Sequence, residues 1–361
     1  MLDIMVAIGL LSYREKALEA IPPLRLRALL AEARLQDASF SLLNSGFFDV
    51  HDALISANVW SLQGGWATKT IQLPDVIIIV GSPLNQHQKL LDGWVRSARP
   101  VIADKGLDKI ALSQLLKQSK FEKYLIHCAS IPKDDAYKFI RSFLLEHTGG
   151  VVKRATGNRG VGLFFIHQSE NEWRLNSDGD CYKGSLDDVT AYIEKRISGR
   201  LQYREYLAQP YINSRTADGR PFDIRVHVQR GEDGEWGVTR AYVRIAEVSS
   251  PLPNTSKGGY QGAIKAFLNQ KSPENANALE TELSNAALEI AAVQSASAPL
   301  PLSELGLDFI IDQNDKIWLV ETNALPQSSL HEHDRAVHTI GYAKFLAKYS
   351  NSERHAQFKL K

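Results

Sequence analysis

The chain has 361 residues, of which 44% are apolar and 23% charged, and its 42 basic side chains nearly cancel its 41 acidic ones. That balance leaves no overall footprint for nucleic acid or a membrane surface, so any basic cluster must be local. The length exceeds what one core usually fills and points to two or three domains.

Cys128 and Cys181 lie far apart and fit no metal-ligand spacing, as expected in a reducing compartment without disulfides. The opening stretch MLDIMVAIGLLSYREK is apolar but has no basic leader and carries Asp3 inside the run. It is expected to form a core strand rather than a signal peptide. No run approaches the roughly 18 apolar residues of a membrane span. The expectation is a cytoplasmic protein with no membrane or nucleic-acid partner, and both a monomer and a homodimer are compatible with the sequence.

In chain order, residues 4–10, 38–44, 75–81 and 99–104 read as strands. The stretches REKALEAIPPLRLRALLAEARL and NQHQKLLDGWVRSA have helical spacing between them. This alternation predicts a small, mostly parallel α/β sheet over residues 1–104. LDKIALSQLLKQ and DDAYKFIRSFLLEHT read as helices, and GGVVKRATGNRGVGLFFIHQ as strand, glycine-rich loop and strand. A strand at EWRL, a helix at SLDDVTAYIEKRI and a strand at EYLAQPYI follow. PFDIRVHVQR and WGVTRAYVRIA form a hairpin turning at GEDGE, and SPENANALETELSNAALEIAAV is an amphipathic helix started by Ser272-Pro273. LDFIIDQNDKIWLVETN is a second hairpin, and a helix near 333–347 closes the pattern.

Three places could carry chemistry. With Asn314-Asp315 as a two-residue hairpin loop, Asp308 falls opposite Glu321, and Asn323 shares their face. Two facing carboxylates repel and resist losing water, so they mark either a cation site or a solvated strand end. KRATGNRGVG sets Gly157, Gly160 and Gly162 between strands, which suits close approach to a phosphate or an ordinary turn. Lys153, inside an apolar strand just before it, needs an anionic partner. In FDIRVHVQ the residues Asp223, Arg225, His227 and Gln229 share a face, toward solvent or toward a ligand, and Arg240 and Arg244 stand across the hairpin. Clustered arginines suit phosphate or carboxylate. HEHD at 331–334 resembles a metal cluster, but its histidines are spaced badly for zinc on a helix.

Taken together, Lys109 in DKIALSQLL, Lys153 before GNRGVG, AQPYI, GRPFDIRVHVQ with GEWGVTRAYVRIA, NTSKGG, LGLDFIID and IWLVETNALP resemble an ATP-grasp enzyme over roughly residues 105–330. The wording is most similar to the YheC/YheD-type, endospore coat-associated branch, and more distantly to RimK-like ligases. The resemblance implies an α+β ATP-grasp fold. A pre-ATP-grasp domain (1–104) would precede two subdomains clasping ATP, one lid-bearing (105–205) and one metal-binding (206–350). It implies ATP and Mg²⁺ as cofactors. Lys109, Lys153, Gly157, Arg159, Gly160 and Gly162 would meet the phosphates, and Gln209, Tyr211 and Ile212 would form the adenine hinge. Asp308, Glu321 and Asn323 would hold magnesium, and Arg225, Arg244, Asn254 and Lys257 would face the transferred phosphate and the acceptor. Lys257 in NTSKGG stands where the family often has arginine, and Gln327 where glycine is common. The implied activity is a carboxylate–amine ligase working through an acyl phosphate on an amino acid, peptide or sugar uronate. A kinase on a hydroxyl and a non-catalytic nucleotide-binding assembly protein are the alternatives.

Overall fold

The structure is a computed structural model that describes residues 5–349 except 15, 62–63, 104, 108, 156–161, 170–171, 178–179, 248–258, 299, 327 and 329. Of the site residues expected from sequence, Gly157, Arg159, Gly160, Asn254 and Lys257 fall outside the described residues, as does Gln327.

The first strand, β1 (Val6–Ser12), is followed by two helices, α1 (Ala17–Ala20) and α2 (Pro23–Leu35), where one long helix was expected. Pro22 and Pro23 divide them, because a proline cannot continue a helix begun before it but fits a first turn. After α2 come β2 (Ala38–Asp49), β3 (Leu54–Trp60), β4 (Trp66–Gln72), β5 (Val76–Val80), α3 (Gln86–Ala98) and β6 (Val101–Ile102). The sheet order is β4-β3-β2-β1-β5-β6, and β1 pairs in parallel with both β2 and β5. The expected parallel core is present, but β3 and β4 extend it as an antiparallel meander that periodicity did not reveal. The β4 strand is largely solvated and mixed in composition, so it carries little apolar alternation to read.

Helix α4 (Lys109–Lys117) leads into a second six-stranded sheet, β11-β10-β9-β8-β12-β7. Its elements in chain order are β7 (Ala129–Ser130), α5 (Ala136–His147), β8 (Gly149–Arg154), β9 (Phe164–Ser169), β10 (Glu172–Ser177), β11 (Asp180–Gly184), α6 (Leu186–Leu201) and β12 (Tyr206–Pro210). Ser185 starts α6 with a reciprocal cap: its hydroxyl accepts from Asp188 N at 3.1 Å while the Asp188 carboxylate accepts from Ser185 N at 3.0 Å. The apolar faces of α5 and α6 close over this sheet through Ile140, Leu144, Ile193 and Ile197.

The third sheet has the order β15-β14-β13-β16-β17, built from β13 (Phe222–Arg230), β14 (Trp236–Ile245), β15 (Tyr260–Ala263), β16 (Glu304–Ile311) and β17 (Ile317–Ala324). Between β15 and β16 run α7 (Ile264–Lys271) and α8 (Ala276–Ser297). Sequence spacing indicated α8 but neither β15 nor α7. Phe222, Ile224, Val226 and Val228 of β13 pack with Leu305, Leu307, Phe309 and Ile311 of β16 beneath α8. Residues from α4 join this core, so α4 packs with the third sheet rather than the second. The last helix, α9 (Glu332–Lys348), follows β17 in sequence, but its Ala336, Ile340, Tyr342 and Ala343 are buried with β1, β2, β5 and α2.

Candidate functional site

One face of the third sheet is apolar, and the other carries the charge. Period-2 geometry puts Asp223, Arg225, His227 and Gln229 opposite the core face of β13. That face is covered rather than solvated: Arg225 is 7% exposed, His227 1% and Gln229 2%. Asp308 stands opposite Arg225 on β16, and Glu321 stands opposite Asp308 on β17.

The pairing of Asp308 with Glu321 arises by another route than a two-residue turn. Ile311 pairs with Ile317, and Asp312 N–H bonds Lys316 O at 3.1 Å, which leaves three residues at the tip with Asp315 at φ 60°. That loop alone would place Asp308 opposite Val320. A bulge lets Phe309 pair with Leu319 while Asp308 pairs with Glu321, so Val320 is the extra residue. Before the bulge, Ile317 and Leu319 enter the core; after it, Glu321 and Asn323 turn to the charged face and Ala324 to the core. The bulge therefore sets which face these two polar residues occupy.

Arg225, Arg244, Asp223 and Asp308 form a quartet in which Arg225 and Asp308 are buried and Arg244 and Asp223 partly so. The Arg225 Nε donates to Asp308 Oδ1, and its Nη2 donates to Oδ2 at 2.7 Å. Arg244 grips Asp223 in a fork with both contacts at 2.6 Å, and its Nη2 lies 3.0 Å from Asp308 Oδ2. Burial would raise the Asp308 carboxyl, but Arg225 and Arg244 outweigh it and hold the group below the usual carboxylate range. Burial pushes the Asp223 carboxyl up, against the pull of Arg244. Gly306, two residues before Asp308, leaves room for this packing. A Cβ there would lie 3.0 Å from Arg225 Cδ and 2.8 Å from Pro326 Cβ.

Asn323 completes the face: its Nδ2 donates to Glu321 Oε1 at 3.0 Å and lies 3.5 Å from Asp308 Oδ2. A donor dipole thus sits where two carboxylates draw positive charge. Two carboxylates and an amide carbonyl are hard oxygen donors, which fits a magnesium ion that completes its shell with water and phosphate oxygens.

A second group lies on the second sheet. Lys153 on β8 donates from Nζ to Gln209 Oε1 on β12, and Cys128 Sγ lies 3.5 Å from the same oxygen. Tyr211 follows β12, with its ring 5.7 Å from His167 and its hydroxyl 3.3 Å from Arg215 Nη2. Ile212 is the next residue. Gly162, the described glycine of the rich segment, has φ 72°, a conformation that suits glycine. Lys109 opens α4. The structure therefore gathers Arg225, Arg244, Asp308, Glu321 and Asn323 on one sheet and Lys153 with Gln209 on the other. Sequence reasoning placed Asp223 on the right face but missed it as the partner of Arg244. The signal was present, since the two residues pair across the β13–β14 hairpin.

The histidines of HEHD have different partners. His331 Nε2 lies 2.9 Å from His227 Nδ1, and His227 Nε2 lies 2.7 Å from Glu304 Oε1. Arg335 also binds Glu304 and reaches Glu332, which in turn meets Arg25 of α2 at 3.3 Å. Burial lowers His331 to about 4. Among the described residues no group of three or more His, Cys, Asp or Glu is arranged to hold a metal ion.

A sheet with a lysine–glutamine pair and a sheet with a carboxylate–arginine face, preceded by an α/β unit with a parallel core, have the ATP-grasp architecture. The family model described as YheC/D like ATP-grasp matches residues 98–351, and the chain belongs to that family. It is 25% identical over 295 residues to the endospore coat-associated protein YheD of Bacillus subtilis (strain 168), covering 78% of this chain and 63% of that protein. The chain thus spans less than two thirds of that relative's length. It is 24% identical over 287 residues to YheC of the same organism, covering 75% of this chain and 76% of that one. Among solved structures, D-cycloserine synthetase DcsG superposes with a TM-score of 0.52 at 15% identity, covering 95% of this chain and 99% of that one. The D-alanyl-alanine synthetase A of Vibrio cholerae O1 gives 0.54 at 14%, covering 95% and 97%. The ATP-grasp ligase PsnB, complexed with precursor peptide PsnA2 and AMPPNP, gives 0.55 at 11%, covering 94% and 98%. These similarities establish a shared fold. Among the described residues no helix is long and apolar enough to cross a membrane.

Proposed function

We propose that the protein is an ATP-dependent carboxylate–amine ligase. The observation that carries this reading is the convergence of Asp308, Glu321 and Asn323 with Arg225 and Arg244 on one covered sheet face of an ATP-grasp fold. The solved neighbours named as synthetases and a ligase support it.

A carboxylate is a poor electrophile, so its oxygen first attacks the γ-phosphorus of ATP and ADP departs. An amine then attacks the acyl carbon of the resulting acyl phosphate, and phosphate leaves with the former carboxylate oxygen. Catalysis of such transfers rests on positioning and charge compensation. Lys153, steadied by Gln209, supplies positive charge to the nucleotide phosphates. Arg225 and Arg244 present guanidinium forks to the transferring group and the acceptor carboxylate. Asp308, Glu321 and Asn323 would hold magnesium, whose charge neutralises the polyphosphate when bound. Gln209, Tyr211 and Ile212 line the adenine through backbone groups. No protein nucleophile is needed.

The test is oxygen transfer. With a carboxylate pool labelled with ¹⁸O and an amine pool, released phosphate must carry one labelled oxygen, and ADP release must require both pools. Unlabelled phosphate, or a stable phosphorylated product formed without amine, would replace the ligase assignment with a kinase.

A further inference from the structure

A cation reaching Asp308 would meet a carboxylate already held by two guanidinium groups. Asp308 is 4% exposed, Oδ1 accepts from Arg225, and Oδ2 is shared by Arg225, Arg244 and Asn323. Both oxygens accept arginine protons, so a cation that ligates either one stands against the guanidinium charges unless a guanidinium withdraws.

The quartet sets two arginines against two aspartates. Its members are not equivalent. Among the described residues Arg244 pairs with both Asp223 and Asp308, whereas Arg225 pairs with Asp308 alone. Turning Asp308 toward a cation leaves Arg244 neutralised by Asp223 and strands Arg225 as a buried charge. An uncompensated buried charge is strongly unfavourable. Arg225 then needs a new anion, and a polyphosphate bound beside it is one that fits a guanidinium fork.

We infer that Arg225 bars a divalent cation from Asp308 until a nucleotide polyphosphate takes up its guanidinium, so that the cation site exists only together with the nucleotide. This rests on the reading of Asp308 as a cation ligand given above. Asp223 is the positioning residue that keeps Arg244 in place during the exchange.

Equilibrium dialysis of the full chain against Mn²⁺, with and without AMPPNP and with protein in excess of nucleotide, counts the metal retained per chain. The wild-type chain is expected to bind Mn²⁺ at least about a hundredfold more tightly when AMPPNP is present. Arg225→Gln is expected to retain Mn²⁺ without nucleotide, because Asp308 is released. Arg225→Lys keeps a charge without the fork, and its nucleotide-free affinity is expected between the two. It carries the test if circular dichroism shows the glutamine variant unfolded. Asp308→Asn sets the background. Wild-type chain that binds Mn²⁺ equally well with and without AMPPNP would overturn the exclusion while leaving the ligand set standing. Retention at the Asp308→Asn background in every state would overturn the cation reading itself.

Discussion

Removing the charge of Asp308 and removing that of Glu321 should have different consequences, because the two carboxylates have different partners. Asp308 neutralises buried Arg225, so Asp308→Asn strands that guanidinium and should cost about 3–5 kcal/mol of stability. Glu321 is only half-buried and bonded to Asn323, so Glu321→Gln should change stability by less than about 1 kcal/mol. Both variants should lose ADP formation, and urea melts beside an ADP assay separate the effects. Equal melts would mean that the quartet contributes nothing to folding. The sequence exposed the repulsion between these two carboxylates but not the arginine that offsets it, since the Arg225–Asp308 contact joins strands 83 residues apart. His331 gives a pH signature at the same scale. Burial depresses its folded value to about 4, below the ordinary histidine range near 6.5. A depressed histidine contributes stability that is present above its unfolded value and is lost as pH falls toward the folded one. The melting temperature should therefore drop between about pH 6.5 and 4, and His331→Gln should flatten that segment of the profile. An unchanged slope in the variant would assign the acid sensitivity to other groups.

The strand is the scale at which the site's geometry is decided, and Val320 decides it. Deleting this exposed residue would remove the bulge and leave Glu321 opposite Asp308 in a regular ladder, because Glu321 would then directly follow Leu319. Inserting an alanine after Val320 would also allow a regular ladder, but one in which Glu321 stands opposite Gly306 instead of Asp308. The insertion should abolish AMPPNP-dependent Mn²⁺ retention, and the deletion should keep it. Val320→Ala, which keeps the residue count, should leave it near wild type. Equal retention in the insertion and in Val320→Ala would show that the register at Val320 does not aim Glu321. Bulges of this kind are poorly legible in a sequence. The run IWLVETN gives apolar residues up to Val320 and polar ones after it, so nothing marks where the parity changes. The expected turn was one residue short and the expected strand had no bulge; the two departures cancel at Asp308 and Glu321. By contrast, FDIRVHVQ was fully legible, because β13 alternates without interruption as far as His227 and its apolar face is buried. Its polar face gave no sign of being covered, since the covering helix follows about a hundred residues later.

Across the whole molecule, that covering helix ties the charged sheet face to the first α/β unit. Arg335 and His331 of the α9 region reach Glu304 and His227 on the third sheet, while Ile340 and Ala343 lie in the core under β1 and β5. Glu332 and Thr339 also bind Arg25 of α2. Sequence order put this helix with the preceding hairpin, and spacing could indicate only that a helix existed, because the packing partner of an apolar stripe is not written in its period. A mutation in the last helix should therefore be felt at the beginning of the chain. Ile340 is fully buried, so Ile340→Ala leaves a cavity and should cost about 2–5 kcal/mol. Hydrogen exchange locates the damage: amides of β1 and β5 should exchange faster together with those of α9, while those of β9 and β10 in the second sheet keep their wild-type protection. Faster exchange confined to β13, β16 and β17 would instead place the energetic partner of α9 on the third sheet alone. Because the same helix region presents His331 and Arg335 to the charged face, the variant should also weaken AMPPNP-dependent Mn²⁺ retention, even though Ile340 belongs to the core of the first sheet.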